Sequence, residues 1–294
     1  MNSIFRLAVV MMTLTAIASA EEPYRRIPNI QYAEAGGHRL LLDLYLPKHA
    51  DHPPLVVWVH GGAWRAGSKA KMPLIDLVRH GFAVASVDYR LSPVAKFPAQ
   101  IHDCKAAIRF LRKHAAKYSI NTQRIGVAGS SAGGHLAALI GVTNNHPPSE
   151  GSVGDCGDYS SSVQAIVDYY GPTNFLTILK QSTPHGLSVR VPALDLLLGG
   201  GPAEKPDLAR LASPVFHVDD NDPPLLLIHG DQDPQVPINQ SHELHARYKK
   251  HKLPVELEVV HGGAHGGPDF HDARRNRLVR EFFQRHLSLP QKTP

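Results

Sequence analysis

From residue 25 onward, short apolar runs alternate with longer amphipathic stretches. Arg39–Tyr45 reads as an early strand. Leu55–His60 (LVVWVH) is almost continuously apolar, the pattern of a strand covered on both faces. Phe82–Asp88, Arg124–Ala128, Ala165–Tyr170, Leu225–His229 and Val255–Val260 repeat that type. Between them, apolar positions recur at helical spacing near 70–80, 99–117, 132–142, 238–250 and 270–287. This rhythm predicts an α/β fold, a mostly parallel central sheet with helices on both faces. Right-handed crossovers then gather the loops that leave the strand C-termini along one sheet edge. Residues 172–218 break the rhythm with Pro184, Pro192, Pro202, Pro206, Pro214 and the run Gly199-Gly200-Gly201. They are expected to form a lid-like excursion over the sheet edge, a loop without part in the site being the alternative.

The first twenty residues differ. Arg6 precedes an uncharged, mostly apolar run from Leu7 to Ala18, and Ala18-Ser19-Ala20 offers small residues for cleavage. The pattern predicts a secretory signal peptide, residues 1–20, cleaved near Ala20, and a secreted or periplasmic catalytic domain over residues 21–294. The apolar run is short for a bilayer span, and no other segment has transmembrane character, so no membrane partner is expected. In an exporting compartment Cys104 and Cys156 could form a bridge. Two unrelated thiols, one on a helix face and one in a loop, are the other reading.

Composition narrows the classes without naming one. The chain has 294 residues, 43% of them hydrophobic, which excludes fibrous and largely disordered chains. Its 31 Lys and Arg against 26 Asp and Glu show no basic stripe, so no nucleic-acid partner is expected. Nineteen histidines invite a metal hypothesis, but no HExxH or zinc-like spacing occurs, and none is assigned.

The chemistry is carried elsewhere. Gly129-Ser130-Ser131-Ala132-Gly133 is a G-x-S-x-G string lying between a strand and an Ala-rich helix. A sharp turn at that junction exposes the hydroxyl of Ser131 and aims the helix N-terminus at whatever binds beside it. Attack on an ester carbonyl creates an oxyanion, which needs prepositioned donors. The Ala132 N–H is one candidate, and the loop His60-Gly61-Gly62-Ala63-Trp64 supplies the N–H groups of Gly62 and Ala63. His60 is expected to tie that loop down. Two acids follow the Leu225–His229 strand: Asp233, further out on the loop, is favoured as the histidine's partner, with Asp231 bracing the turn locally. After Val255–Val260, His265 in a glycine-rich loop is the favoured base, and His261 a structural residue.

These residues together resemble the α/β-hydrolase esterases, most closely the group that includes bifunctional feruloyl and acetyl-xylan esterases, and more distantly the hormone-sensitive-lipase type. The resemblance runs from about Leu42 to Leu287. It includes Asp88-Tyr89-Arg90-Leu91, Tyr170-Gly171-Pro172, Ser213-Pro214 and Pro223-Pro224 beside the motifs above. It implies hydrolysis of short-chain or aromatic carboxylic esters through an acyl-enzyme, without a cofactor, on small-molecule or polysaccharide-linked substrates. Trp64 would then bind substrate, a core role being the alternative. Ala63 departs from the usual third glycine. A serine exopeptidase of the prolyl-oligopeptidase type is the alternative enzyme, less expected because that architecture normally carries a large upstream propeller and only about twenty residues of the expected mature chain precede the first strand. A non-catalytic hydrolase-fold binding protein commonly lacks a triad member, and none is missing here.

Overall fold

The computed structural model describes residues 22–287; the segment assigned as a signal peptide lies outside the described residues. Eight strands form one sheet: β1 (Tyr24–Ala35), β2 (His38–Pro47), β3 (Pro54–Val59), β4 (Ala83–Val87), β5 (Asn121–Ser130), β6 (Ala165–Tyr169), β7 (Leu225–Gly230) and β8 (Val255–Val260). Their spatial order is β1-β2-β4-β3-β5-β6-β7-β8. β2 pairs antiparallel with both β1 and β4, whereas every pairing from β4 through to β8 is parallel.

The continuous apolar strands are buried on both faces because successive side chains enter different cores. Val57 and Val59 of β3 join the core beneath the helices Ala99–Lys113 and Ala132–Val142. Val56 and Trp58 join the one closed by Phe282 and Phe283 of the helix Ala273–Leu287. Cys104 and Cys156 are free, buried thiols, so no bridge links the helix to the loop. The segment 172–218 holds more helix than its prolines suggested, with Ile178–Gln181, Pro184–Leu198 and Pro206–Leu211. Pro184 sits in the first turn, where its missing N–H is harmless. Thr183 caps that helix by accepting from the Gly186 N–H at 3.0 Å, and left-handed Gly199 ends it.

Parallelism has one consequence for chemistry. β3, β5, β6, β7 and β8 all release their chains at the same edge, followed by His60, Ser131, Tyr170, the Asp233 loop and the His265 loop.

Candidate active site

β5 turns into the helix Ala132–Val142 at a single residue. Ser131 has φ +54° and ψ −119°, a backbone conformation that costs a side-chain-bearing residue about 1–3 kcal/mol. Close packing enforces it: a Cβ on Gly129 would lie 2.2 Å from the Gly133 carbonyl oxygen, and one on Gly133 would lie 2.0 Å from that of Val59. The flanking glycines are therefore a steric requirement of the turn. The Ser131 N–H is held by the Tyr169 carbonyl at 2.8 Å, which locks the elbow to β6.

Three side chains from separate loops meet there. His265 Nε2 lies 2.8 Å from Ser131 Oγ, and its Nδ1 lies 2.6 Å from Asp233 Oδ2. With Nδ1–H donating to the carboxylate, Nε2 is left as the acceptor for the serine hydroxyl. Oδ1 of Asp233 accepts the N–H groups of Gln235 and Val236 at 2.8 and 2.9 Å, and His229 Nε2 lies 3.4 Å from Oδ2. Burial opposes ionisation of Asp233, but the contacts from His229, His265 and the Val236 N–H outweigh it and hold the carboxyl well below the usual carboxylate range.

The competing pair is also real, but it is placed differently. Asp231 accepts from the Gly262 N–H at 2.8 Å and pairs with Nδ1 of His261 at 2.9 Å, clamping the loop after β7 to the loop after β8. Its backbone hydrogen bond reaches the loop after β8 and not its own turn, and the His261 side chain is 86% exposed.

The loop after β3 lies against the elbow. A Cβ on Gly61 would come within 2.7 Å of the Ser130 carbonyl. Gly62, Ala63 and Trp64 all have positive φ, at +117°, +53° and +58°. The N–H groups of Gly62, Ala63 and Ala132 enter no turn or loop hydrogen bond and remain free to face a ligand. His60 is buried and stacked on Tyr89 at 4.4 Å, its Nδ1 donating to the Gly61 carbonyl at 2.8 Å. Burial lowers its pKa, so it stays neutral while pinning the loop.

Trp64 is corrected by the structure. It is 0% exposed and contributes nothing to the cavity wall. The left-handed turn at Ala63 and Trp64 sends the indole inward, edge-on to His135 and Phe175, with Nε1–H donating to His135 Nδ1 at 3.1 Å. His135 in turn donates from Nε2 to the Ala212 carbonyl at 2.6 Å, and burial pushes its pKa down to about 4. Trp64 thus ties the donor loop to the elbow helix and to the 172–218 segment.

Ser131 opens into a cavity of about 830 Å³ lined by Gly62, Ala63, Arg65, Tyr170, Arg190 and His265, among others. That volume suits a small-molecule ligand. Tyr170, with φ +46°, sets its ring edge-on to His265 at 4.8 Å and to Phe270 at 4.8 Å, fixing the imidazole's plane. Sequence reasoning did not give Tyr170 a role in the site, although Tyr170-Gly171-Pro172 marked the position. Arg65 and Arg190 carried no signal at all. Among the described residues, no group of three or more His, Cys, Asp or Glu is placed to hold a metal ion.

Directly behind the elbow lies a buried acid. Asp168 accepts the Gly171 N–H at 2.8 Å through Oδ1, while its Oδ2 is buried without a partner. Burial pushes its carboxyl up to about 7, against the pull of the Gly171 N–H and of His229. A raised carboxyl pKa contributes stability that is complete below the unfolded-state value and is lost as pH rises through about 7. Asp168→Asn keeps the acceptor and removes the titration. The difference in unfolding free energy, variant minus wild type, measured by denaturant titration, is expected to climb between roughly pH 4 and pH 8, by a few kcal/mol at most. A difference flat in pH would show that Asp168 ionises freely.

A parallel sheet with a nucleophile elbow, an acid after β7 and a histidine after β8 defines the α/β-hydrolase class. The BD-FAE family model matches residues 42–248, and the chain belongs to that family of esterases. It is 35% identical to esterase LipC of Mycobacterium tuberculosis over 235 residues, covering 77% of this chain and 56% of LipC. The chain therefore spans little more than half the length of that relative. Among solved structures, a truncated carbohydrate esterase from gut microbiota superposes with a TM-score of 0.80 at 36% identity, over 90% of this chain and 98% of that one. Esterase Est2 of Thermogutta terrifontis with butyrate bound gives a TM-score of 0.75 at 26% identity, over 92% and 97%.

Proposed function

We propose that the chain is a serine carboxylesterase, exported after cleavage near Ala20, that acts on short-chain or aromatic esters of the acetyl-xylan or feruloyl type. The observation that carries it is the unbroken relay Asp233–His265–Ser131, with contacts of 2.6 and 2.8 Å, at the mouth of a small-molecule cavity. As Ser131 Oγ attacks the ester carbonyl, its proton passes to His265 Nε2. The carbonyl oxygen becomes an oxyanion received by the N–H groups of Gly62, Ala63 and Ala132. Asp233 stabilises the imidazolium, which then protonates the departing alcohol as its C–O bond breaks. Water, deprotonated by the same histidine, releases the acid from Ser131. No step needs a cofactor.

The substrate type draws support from the sequence resemblance to feruloyl and acetyl-xylan esterases and from the likeness to a carbohydrate esterase and to a butyrate-bound esterase. Purified protein is expected to cleave 4-nitrophenyl acetate and butyrate faster than octanoate, and to release acetate from acetylated xylan or ferulate from methyl ferulate. Turnover of the nitrophenyl esters alone would remove the polysaccharide reading, and turnover of none would remove the esterase.

A further inference from the structure

We propose that the cavity beside Ser131 is built for an ester that itself carries a carboxylate, with Arg190 as the buried anchor for that group. The inference rests on the esterase reading and narrows its substrate. Arg190 lies in the helix Pro184–Leu198 and is 1% exposed, yet it lines the cavity. Its Nε and Nη1 are buried with no hydrogen-bond partner. A buried guanidinium is normally paired, because its donors lose water on burial and gain nothing unless an acceptor replaces it.

What surrounds Arg190 does not satisfy it. The carboxylate whose charge it feels, Asp233, is already taken up by His265, His229 and two backbone N–H groups. Its other neighbour is the Trp64 ring, 5.9 Å from Cζ to centroid, a contact that stabilises the cation but accepts no hydrogen bond. Burial lowers its pKa only to about 10, so the group stays charged at neutral pH.

The other fixed charges on the wall have the same sign. Arg65 and Lys71 also line the cavity, while no Asp or Glu does. Arg65 and Arg190 repel one another, a like-charge conflict that an anion between them relieves. A carboxylate fits the planar fork of a guanidinium through two parallel bonds, which a hydroxyl or an ester carbonyl cannot do. The carboxylate can sit on the acyl side, as in a half-ester of a dicarboxylic acid, or on the alcohol side, as in an acetylated uronic acid.

Two matched pairs separate these sources. 4-Nitrophenyl hemisuccinate and 4-nitrophenyl butyrate share chain length and differ in the terminal carboxylate. An acetylated methyl glucuronoside and an acetylated methyl glucoside differ likewise on the alcohol side. In one pair, wild type is expected to favour the charged member by about tenfold or more in kcat/KM. In Arg190→Met that ratio falls below about threefold, and in Arg190→Lys it lies between. Should Arg190→Met fail to fold, exposed Arg65→Gln provides the second test, with the ratio expected to fall about threefold. A ratio unchanged in a folded variant overturns the proposal. Turnover without preference in either pair overturns this inference alone, whereas no turnover of any of the four esters removes the esterase reading and this inference with it.

Discussion

Ser131→Ala is expected to lower kcat by about 10⁴- to 10⁶-fold on 4-nitrophenyl acetate, leaving only the background that binding and the N–H donors can support. The relay at 2.8 Å ends on Ser131 Oγ, and removing that atom leaves His265 Nε2 with nothing to activate except water. The fold has no stake in the hydroxyl. Ser131 is held through its backbone N–H to Tyr169, and its strained φ is set by the packing of Gly129 and Gly133, all retained in the variant. The melting temperature should therefore stay within a few degrees of wild type, while binding of a product such as butyrate persists. Residual activity above about 1% in a folded variant would place the nucleophile elsewhere.

The architecture was legible wherever burial imposed a regular pattern. The strands inside the sheet, such as β3 and β7, are apolar runs because both their faces are covered, and the crossover rule then placed Ser131, Asp233 and His265 on one edge. β1 escaped notice for the converse reason. Its sequence, YRRIPNIQYAEA, is buried only at Tyr32 and Ala33, contains Pro28 and is interrupted at Asn29, with φ +57°. Edge strands need no continuous apolar run. The helix Pro184–Leu198 was hidden by Pro184 and Pro192, read as breakers, although a proline in the first turn favours a helix.

Within the site, what the sequence could not supply was direction. Trp64 follows the glycine loop in either role, and only the two successive left-handed residues Ala63 and Trp64 decide that the indole turns into the core. Arg190 comes from a segment whose path over the cavity depends on tertiary packing, so no local pattern distinguishes it from a surface arginine. Asp231 and Asp233 are two residues apart on one loop, each facing a histidine from the loop after β8. Motif context ranked them. Burial separates them, because the Asp233 carboxylate is enclosed with four donors while the Asp231 pair faces solvent.

That enclosure also determines how Asp233→Asn must fail. Oδ1 of Asp233 receives two backbone N–H groups, so the asparagine amide oxygen is held at that position. Its NH₂ then occupies the place of Oδ2, 2.6 Å from His265 Nδ1, as a donor facing what was a donor. The imidazole responds by carrying its proton on Nε2, and Ser131 loses its base without any atom leaving its position. The expected fall in kcat/KM is about 10³- to 10⁴-fold near neutral pH, with partial recovery toward alkaline pH as hydroxide substitutes for the base. In wild type the Asp233 carboxyl is held well below the usual carboxylate range, so it stays ionised across the working pH range and its protonation does not set the acidic limb of the rate profile. Asp231→Asn is the matched control. Its pair with exposed His261 clamps two loops outside the relay, so it should cost activity no more than about threefold, as an exposed ion pair would. If the control lost as much activity as Asp233→Asn, the Asp231–His261 pair would share in the chemistry and the single relay through His265 would have to be abandoned.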